Sequence, residues 1–457
     1  MLIFRRITKH IAAHWQPYAL CVIAIALFLI PNLFWGNLYI VGGDDARLYY
    51  LYPLEYLKNF SFNVMSGNTL GGNLGYMPVS YSAPNIAFLA VLKYLFPFVH
   101  TQFISYGFIF SLGFLFLHLF FQELTPKKTP FTFAGSIVAS LFYIASPYIT
   151  KTYFQSQFIS IFLLMVLPVC LYLFISGLRR KNAARVVASS LFYSVFGASV
   201  FGFPWLLPVF LTLIPFFVYL ALRYGRYFWR MMIVFIAVFI LCNAYWIIHY
   251  IIPLLGKTDE ANYAATLVSD SFVLQNSNLV SSLLYLNSPI NQIIHHIRIS
   301  WLDRQGAGIG QTIGIVYLAV ILVAGTLLHK VKKSTKILFL TVTGGLLLAM
   351  LFFTPNFGLW NLQLFQYLIT HIPFFVIFRN MHDKFALAMA FYYAFALWIS
   401  FVIFGEAGIK RIYTFIAILC VLLVTVIRFV PYIFPNYQKI AEGAIASFPQ
   451  SNALVVC

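Results

Sequence analysis

Two carboxylates stand side by side in the run Val41-Gly42-Gly43-Asp44-Asp45-Ala46-Arg47-Leu48-Tyr49-Tyr50, directly after an apolar stretch of membrane-spanning length. Adjacent acids at a membrane edge are costly, because desolvation and mutual repulsion both disfavour the charged forms unless water, a cation or a partner offsets them. Such a pair suits general-base chemistry, in which one carboxylate takes a proton from a hydroxyl. It equally suits a divalent cation such as Mg2+ or Mn2+, which prefers hard oxygen ligands. The same residues also fit a solvated loop start, with Gly42-Gly43 turning the chain and Asp44 or Asp45 capping a helix that runs through Glu55. On spacing alone both readings stand.

A second constellation lies in Phe374-Phe375-Val376-Ile377-Phe378-Arg379-Asn380-Met381-His382-Asp383-Lys384-Phe385, again beside an apolar stretch. Arg379 and Lys384 are two cations about one helical turn apart. They suit a lipid phosphate, which Arg grips through two parallel N–H groups and Lys meets as a point charge. Snorkelling to lipid headgroups is the competing role. The segment Gly256–Gly310 holds Asp259, Glu260, Asp270, His295, His296, Arg298, Trp301, Asp303 and Arg304, which suit contacts to an acceptor, but no metal-ligand spacing. Adjacent histidines do not readily face one ion. Within apolar stretches, Asn243, His249 and Arg428 need a cavity or a partner, for which interhelical hydrogen bonding suffices. Neither a phosphate-loop motif nor a dinucleotide fingerprint occurs, so nucleotide hydrolysis and a soluble nucleotide-sugar domain are not indicated.

The elements that must position these residues follow from composition. Of 457 residues, 62% are hydrophobic, 19% aromatic and only 9% charged, with a mean hydropathy of +0.88. No soluble core needs that much apolar surface, so the chain reads as a single all-α polytopic membrane domain. Apolar runs near 18–35, 103–121, 131–147, 157–178, 186–200, 203–222, 231–253, 312–328, 337–353, 385–404 and 412–430 predict about eleven transmembrane helices. The run from Tyr18 to Trp35 follows Arg5, Arg6 and Lys9 with no small-residue cleavage site after it, which predicts an uncleaved first span. Ser82–Phe98 is short, has Pro84 near one end and Pro97 at the other, and contains Lys93; it predicts a helix lying along the outer membrane surface. Cys21, Cys170, Cys242 and Cys420 lie in apolar runs, and with Cys457 they suggest neither a disulfide framework nor a zinc site.

Charge sets the expected orientation. With Ser82–Phe98 lying flat, one side collects Arg5, Arg6, Lys9, Lys127, Lys128, Arg179, Arg180, Lys181, Arg185, Arg223, Arg226, Arg230, Lys330, Lys332, Lys333, Lys336, Lys410 and Arg411, 18 of the 29 basic residues. Short basic clusters between apolar runs are the positive-inside pattern rather than a nucleic-acid footprint, despite the net charge of +18. The amino terminus is then cytoplasmic and the carboxyl terminus outside, in a plasma membrane of bacterial or archaeal kind. Only Glu123 and Glu406 of the 11 acids fall inside; Asp44, Asp45, Glu55, Asp259, Glu260, Asp270, Asp303, Asp383 and Glu442 fall outside. The outer loops, about 36–102, 254–311 and 354–384, are long and rich in Trp, Tyr, Pro and Gly, which places the chemistry on the outer face.

The order of a first span, an acidic pair at its outer end and a long outer loop with a surface-lying helix resembles the GT-C superfamily of polyprenyl-phosphate-dependent glycosyltransferases. Asp44-Asp45-Ala46-Arg47-Leu48-Tyr49 is similar to the Asp-Glu-x-Arg-Tyr signature of the lipid A aminoarabinose transferases and protein mannosyltransferases, with Asp in place of Glu and Leu48 inserted before Tyr49. Ala145-Ser146-Pro147-Tyr148, closing the third span, also fits. Phe378-Arg379 through Lys384-Phe385 resembles the Phe-Arg-x-Pro-x-Lys-Phe element of arabinofuranosyltransferase-like membrane proteins, without the Pro and with one residue inserted. The resemblance implies a GT-C-like fold and transfer of a sugar from a polyprenyl-phosphate donor to an extracytoplasmic glycan, lipid or protein acceptor. Asp44 and Asp45 would be catalytic; Arg47, Tyr49, Arg379 and Lys384 would bind substrate.

Two other classes compete. A transporter or lipid flippase would use the same acids for protons or substrate, but should carry acidic groups near mid-membrane and related halves, and neither is visible in the sequence. A non-catalytic assembly subunit would leave Asp44 unimportant. The orientation is testable with single cysteines at positions 180 and 280 in a background without the native cysteines. An impermeant reagent added to intact cells should label position 280 and spare position 180; the reverse pattern would mean that Ser82–Phe98 crosses the membrane.

Overall fold

The computed structural model describes residues 15–34, 38–40, 50–59, 83–125, 129–146, 161–197, 203–255, 307–354, 359–372, 375, 384–433 and 445–447. An apolar run in lipid has no water to pair with its backbone, and a helix is the element that pairs N–H with C=O inside one segment. In each of the eleven apolar stretches the described residues are mainly helical, the 203–222 stretch as two helices. In chain order the helices are α1 Trp15–Phe34, α2 Pro53–Asn59, α3 Ala83–Leu95, α4 Thr101–Leu124, α5 Pro130–Ile144, α6 Leu163–Arg179, α7 Ala183–Phe196, α8 Phe203–Thr212 and α9 Ile214–Tyr224. They continue with α10 Arg226–Leu255, α11 Ala307–Thr326, α12 Lys333–Phe353, α13 Leu359–His371, α14 Ala386–Glu406 and α15 Arg411–Ile433. Two three-residue strands, β1 Leu38–Ile40 and β2 Ile445–Ser447, pair antiparallel.

Five of the described helices, α1, α4, α10, α12 and α14, are long and apolar enough to cross a membrane, and α8 with α9 qualifies as a sixth if a pair bent by 54° counts as one span. The protein is therefore embedded in a membrane. Large apolar side chains point away from the bundle on its outer helices, Val22 and Leu33 on α1 and Ile233 and Leu241 on α10 among them, as lipid contact requires. Helix length yields fewer crossings than the eleven expected from apolar runs, because α5, α6 and α7 have only 15, 17 and 14 residues against the roughly 20 that span a bilayer. At 13 residues α3 is shorter still; it packs on α2, α4 and α7 through Ile86, Leu89 and Leu92 while Tyr94 is exposed.

The core forms around α14, which is buried along its whole apolar length. Helices α5, α8, α11, α12 and α15 pack against it, and α4 reaches it through aromatic rings. Phe121 stacks on Trp398 with centroids 5.0 Å apart and planes within 7°, and the Phe395 ring lies 5.5 Å from both Phe120 and Phe216. Small residues set the α1–α4 approach. Gly107 backs directly on the Phe28 carbonyl, and one turn later the Ser111 hydroxyl donates to the Ala24 carbonyl at 2.7 Å. This is the small-xxx-small spacing that lets membrane helices approach closely.

The break between α8 and α9 has an identifiable cause. Pro215 has no N–H to give to the preceding turn, and the helix bends there. The Tyr392 hydroxyl of α14 donates to the Thr212 carbonyl at the break, at 2.6 Å, and its ring lies against Gly345 of α12. A Cβ at position 345 would overlap that ring. Gly345→Ala should therefore destabilise the bundle by about 1–3 kcal/mol, the usual cost of overpacking. Tyr392→Phe, which loses one buried hydrogen bond, should cost about 1 kcal/mol. Unfolding of the purified protein in detergent checks the order; a Gly345→Ala variant as stable as the parent would mean that α12 and α14 do not approach there.

Candidate functional site

The structure defines two ends of the bundle. Helices α4 and α14 both run toward one end, joined by the antiparallel α5: Gln122 donates to Ser136 at 2.8 Å, and Gly135 backs on Phe401. At that end Glu123 accepts from Arg179 and Arg180, each at 2.9 Å, and the Glu123 carbonyl also accepts from Arg179 at 2.9 Å. Glu406 accepts from the Lys332 backbone N–H at 3.3 Å and from the Thr335 hydroxyl at 3.0 Å, so a carboxylate holds the start of α12, where the helix dipole favours negative charge. The two acids expected among the inner basic clusters thus both act as structural clamps. The basic residues of α6, α9, α10 and α12 gather at this same end.

Asp44, Asp45, Arg47, Tyr49 and Arg379 lie outside the described residues, as does the whole segment 256–306 with His295 and His296. The described residues that flank them fix where their segments leave the bundle. On one side of residues 41–49, Leu38, Tyr39 and Ile40 pair with Ser447, Ala446 and Ile445. On the other side Tyr50 is 1% exposed and meets the Tyr106 ring edge-on at 5.8 Å. Tyr106 is in the second turn of α4, at the end opposite Glu123.

The segment of Arg379 is anchored the same way, and both of its flanks meet one residue. Phe375 lies 6.1 Å from Phe352, and Phe385, fully buried, stacks on Phe352 at 5.0 Å. Phe352 is in the last turn of α12, opposite the Glu406 clamp. The two candidate segments therefore leave the bundle at one and the same end, away from the basic clusters.

Lys384 is the candidate residue that the structure does describe. It is partly exposed and directly precedes Phe385, the N-cap of α14, which makes no side-chain capping hydrogen bond. A cation beside the positive end of a helix raises the local potential, and both favour an anion such as phosphate. One sequence-based alternative is corrected here: the helix through Glu55, α2, begins at Pro53, too far along the chain for Asp44 or Asp45 to cap it.

Asn243 is buried and donates to the Phe239 carbonyl one turn back at 2.8 Å. The side chains of His249 and Arg428 are outside the described set. A polar contact the sequence did not single out is His118 Nδ1 with the Ser136 hydroxyl, 3.0 Å apart and buried between α4 and α5. Its signal was present as His118 and Gln122, four residues apart on one face of an otherwise apolar helix. Among the described residues no three His, Cys, Asp or Glu side chains come together as a metal group.

Fold and flanking geometry together define a helical membrane protein with one basic, clamped end and an opposite end at which the described flanks of residues 41–49 and 376–383 are held. Compared with models of known families and with curated proteins, the sequence gives no match. The anchoring of the first loop is testable by hydrogen exchange. Deleting residues 445–457 removes β2 and should raise amide exchange at Leu38–Ile40 by at least about tenfold, one broken hydrogen bond's worth. No change would mean that β1 is held by something else.

Proposed function

We propose that the protein is a GT-C-like glycosyltransferase that moves a sugar from a polyprenyl-phosphate donor to an acceptor on the outer face of the membrane. The observation that carries the reading is the common exit of the segments bearing Asp44 and Arg379, at the end away from the basic clusters. A base and a phosphate-binding cation in different loops can serve one reaction only if the fold brings their loops to the same side.

In this reading Asp44 takes the proton from the acceptor hydroxyl as its oxygen attacks the anomeric carbon. The glycosidic bond to the lipid phosphate breaks as the new one forms, and the phosphate leaves with the electron pair. Arg379 grips that phosphate through its guanidinium, and Lys384 adds its charge at the start of α14. Asp45 orients the acceptor, Arg47 holds the acidic pair charged, and Tyr49 lines the substrate path. Two adjacent carboxylates are also the donor set that Mg2+ or Mn2+ takes, and such an ion would lower the mutual repulsion of the pair. The eleven apolar helices would then form the membrane domain with the amino terminus cytoplasmic, α5 to α7 being completed by neighbouring residues.

The test is transfer of labelled sugar by purified protein across a panel of polyprenyl-phosphate donors. Asp44→Asn keeps size and most hydrogen bonding but removes the base, so turnover should fall by about two orders of magnitude or more. Arg379→Lys keeps the charge but loses the fork, and should raise the donor concentration needed for saturation. Near-parental turnover in Asp44→Asn would remove Asp44 from the base role. Absence of transfer by the parent with every donor would favour the transporter reading.

A further inference from the structure

Between α6, α7, α8, α9 and α10 lies a cavity of about 310 Å3, with Phe174, Phe217 and Met232 on its side toward the basic end of the bundle. Leu167, Phe174, Leu207, Phe210 and Phe217 are among its walls, and Ile236, 47% exposed, stands where it opens. Of the polar side chains in its wall, two are tied together: the Ser189 hydroxyl donates to the Cys170 carbonyl at 2.9 Å and the Cys170 thiol to the Ser189 carbonyl at 3.4 Å, while the Tyr193 hydroxyl is buried without a hydrogen-bond partner. The surface that faces an occupant is nevertheless almost wholly hydrocarbon and aromatic. In volume it reaches the lower limit of ordinary ligand pockets.

The charges lie just beyond its floor, where Phe174 and Phe217 both meet Phe228 at 6.2 and 6.3 Å. Six residues after Phe217 comes Arg223, whose guanidinium donates to the Tyr219 hydroxyl at 3.0 Å and sits 5.6 Å over the Tyr224 ring. Arg226 and Arg230 follow, exposed and one turn apart at the start of α10, a helix with no acid in its first turn. Like charges at that spacing, beside the positive end of a helix, repel one another. Among the described residues the acid at this corner, Glu123, is already engaged by Arg179 and Arg180. Apolar cavity and uncompensated cations lie within about two helical turns of each other along α9 and α10.

We infer that this corner binds an anionic phospholipid, one acyl chain in the cavity and the phosphate on Arg223, Arg226 and Arg230. The hydrocarbon wall selects a chain, the arginines select a negative headgroup, and a basic pocket between membrane helices is a known setting for such lipids. The inference is independent of the proposed transfer reaction, whose donor would meet the opposite end of the bundle.

Native mass spectrometry of the purified protein, titrated with phosphatidylglycerol or phosphatidylcholine carrying identical chains, tests it. The parent should retain phosphatidylglycerol preferentially, and inorganic phosphate in excess should not displace it. Arg226→Gln and Arg230→Gln should each lower that preference about fivefold, while Arg226→Lys, which keeps the charge, should preserve most of it. Ile236→Trp, filling the mouth of the cavity, should lower retention of both lipids. Equal retention of the two lipids by the parent would overturn the inference. So would an Ile236→Trp variant that holds phosphatidylglycerol as well as the parent, because the headgroup alone would then account for binding.

Discussion

The burial of α14 on every side is the constraint on which the bundle depends. A helix inside other helices has no lipid or water to receive a misfit, so each neighbour must match its surface, and the match is made with aromatic rings. Phe121 stacked on Trp398, and Phe120 and Phe216 against Phe395, bring α4 and α9 to the same central helix. Tyr392 goes further: one side chain fills the space left by Gly345 and donates to the Thr212 carbonyl at the break between α8 and α9. The break is thus tied to the central helix.

Polar chemistry is consequently driven to the two ends, and it differs between them. At one end the acids are consumed in construction, Glu123 tying α4 to α6 and Glu406 holding the start of α12. At the other end the described contacts are aromatic and backbone: Tyr50 on Tyr106, Phe375 and Phe385 on Phe352, and the short β1–β2 pair. Contacts of that kind anchor loops without using charge.

The asymmetry also separates two uses of arginine. In the basic clusters, guanidinium groups face the membrane edge in numbers that exceed their acidic partners, which suits a nonspecific anionic surface or a lipid headgroup. Arg379 belongs instead to a segment whose described flanks, Phe375 and Phe385, both meet the Phe352 ring, tilted on one side and stacked on the other.

The sequence by itself determined the class of the protein and the position of its helices. Long apolar runs admit one way of pairing their backbone, so every run from Tyr18 to Val430 reads as helical, although the 203–222 run is broken into two helices. It also placed Glu123 and Glu406 among the basic clusters, because charge must lie at helix ends. Only the tertiary structure decided helix lengths, the burial of α14 over α1 or α10, the bend at Pro215 closed by Tyr392, and the pairing of Leu38–Ile40 with Ile445–Ser447. The physical reason is that hydropathy reports the medium a residue prefers, which is the same for lipid and for protein interior. An apolar face on α14 and one on α1 look alike in sequence, and only packing of distant segments tells which of them meets other helices.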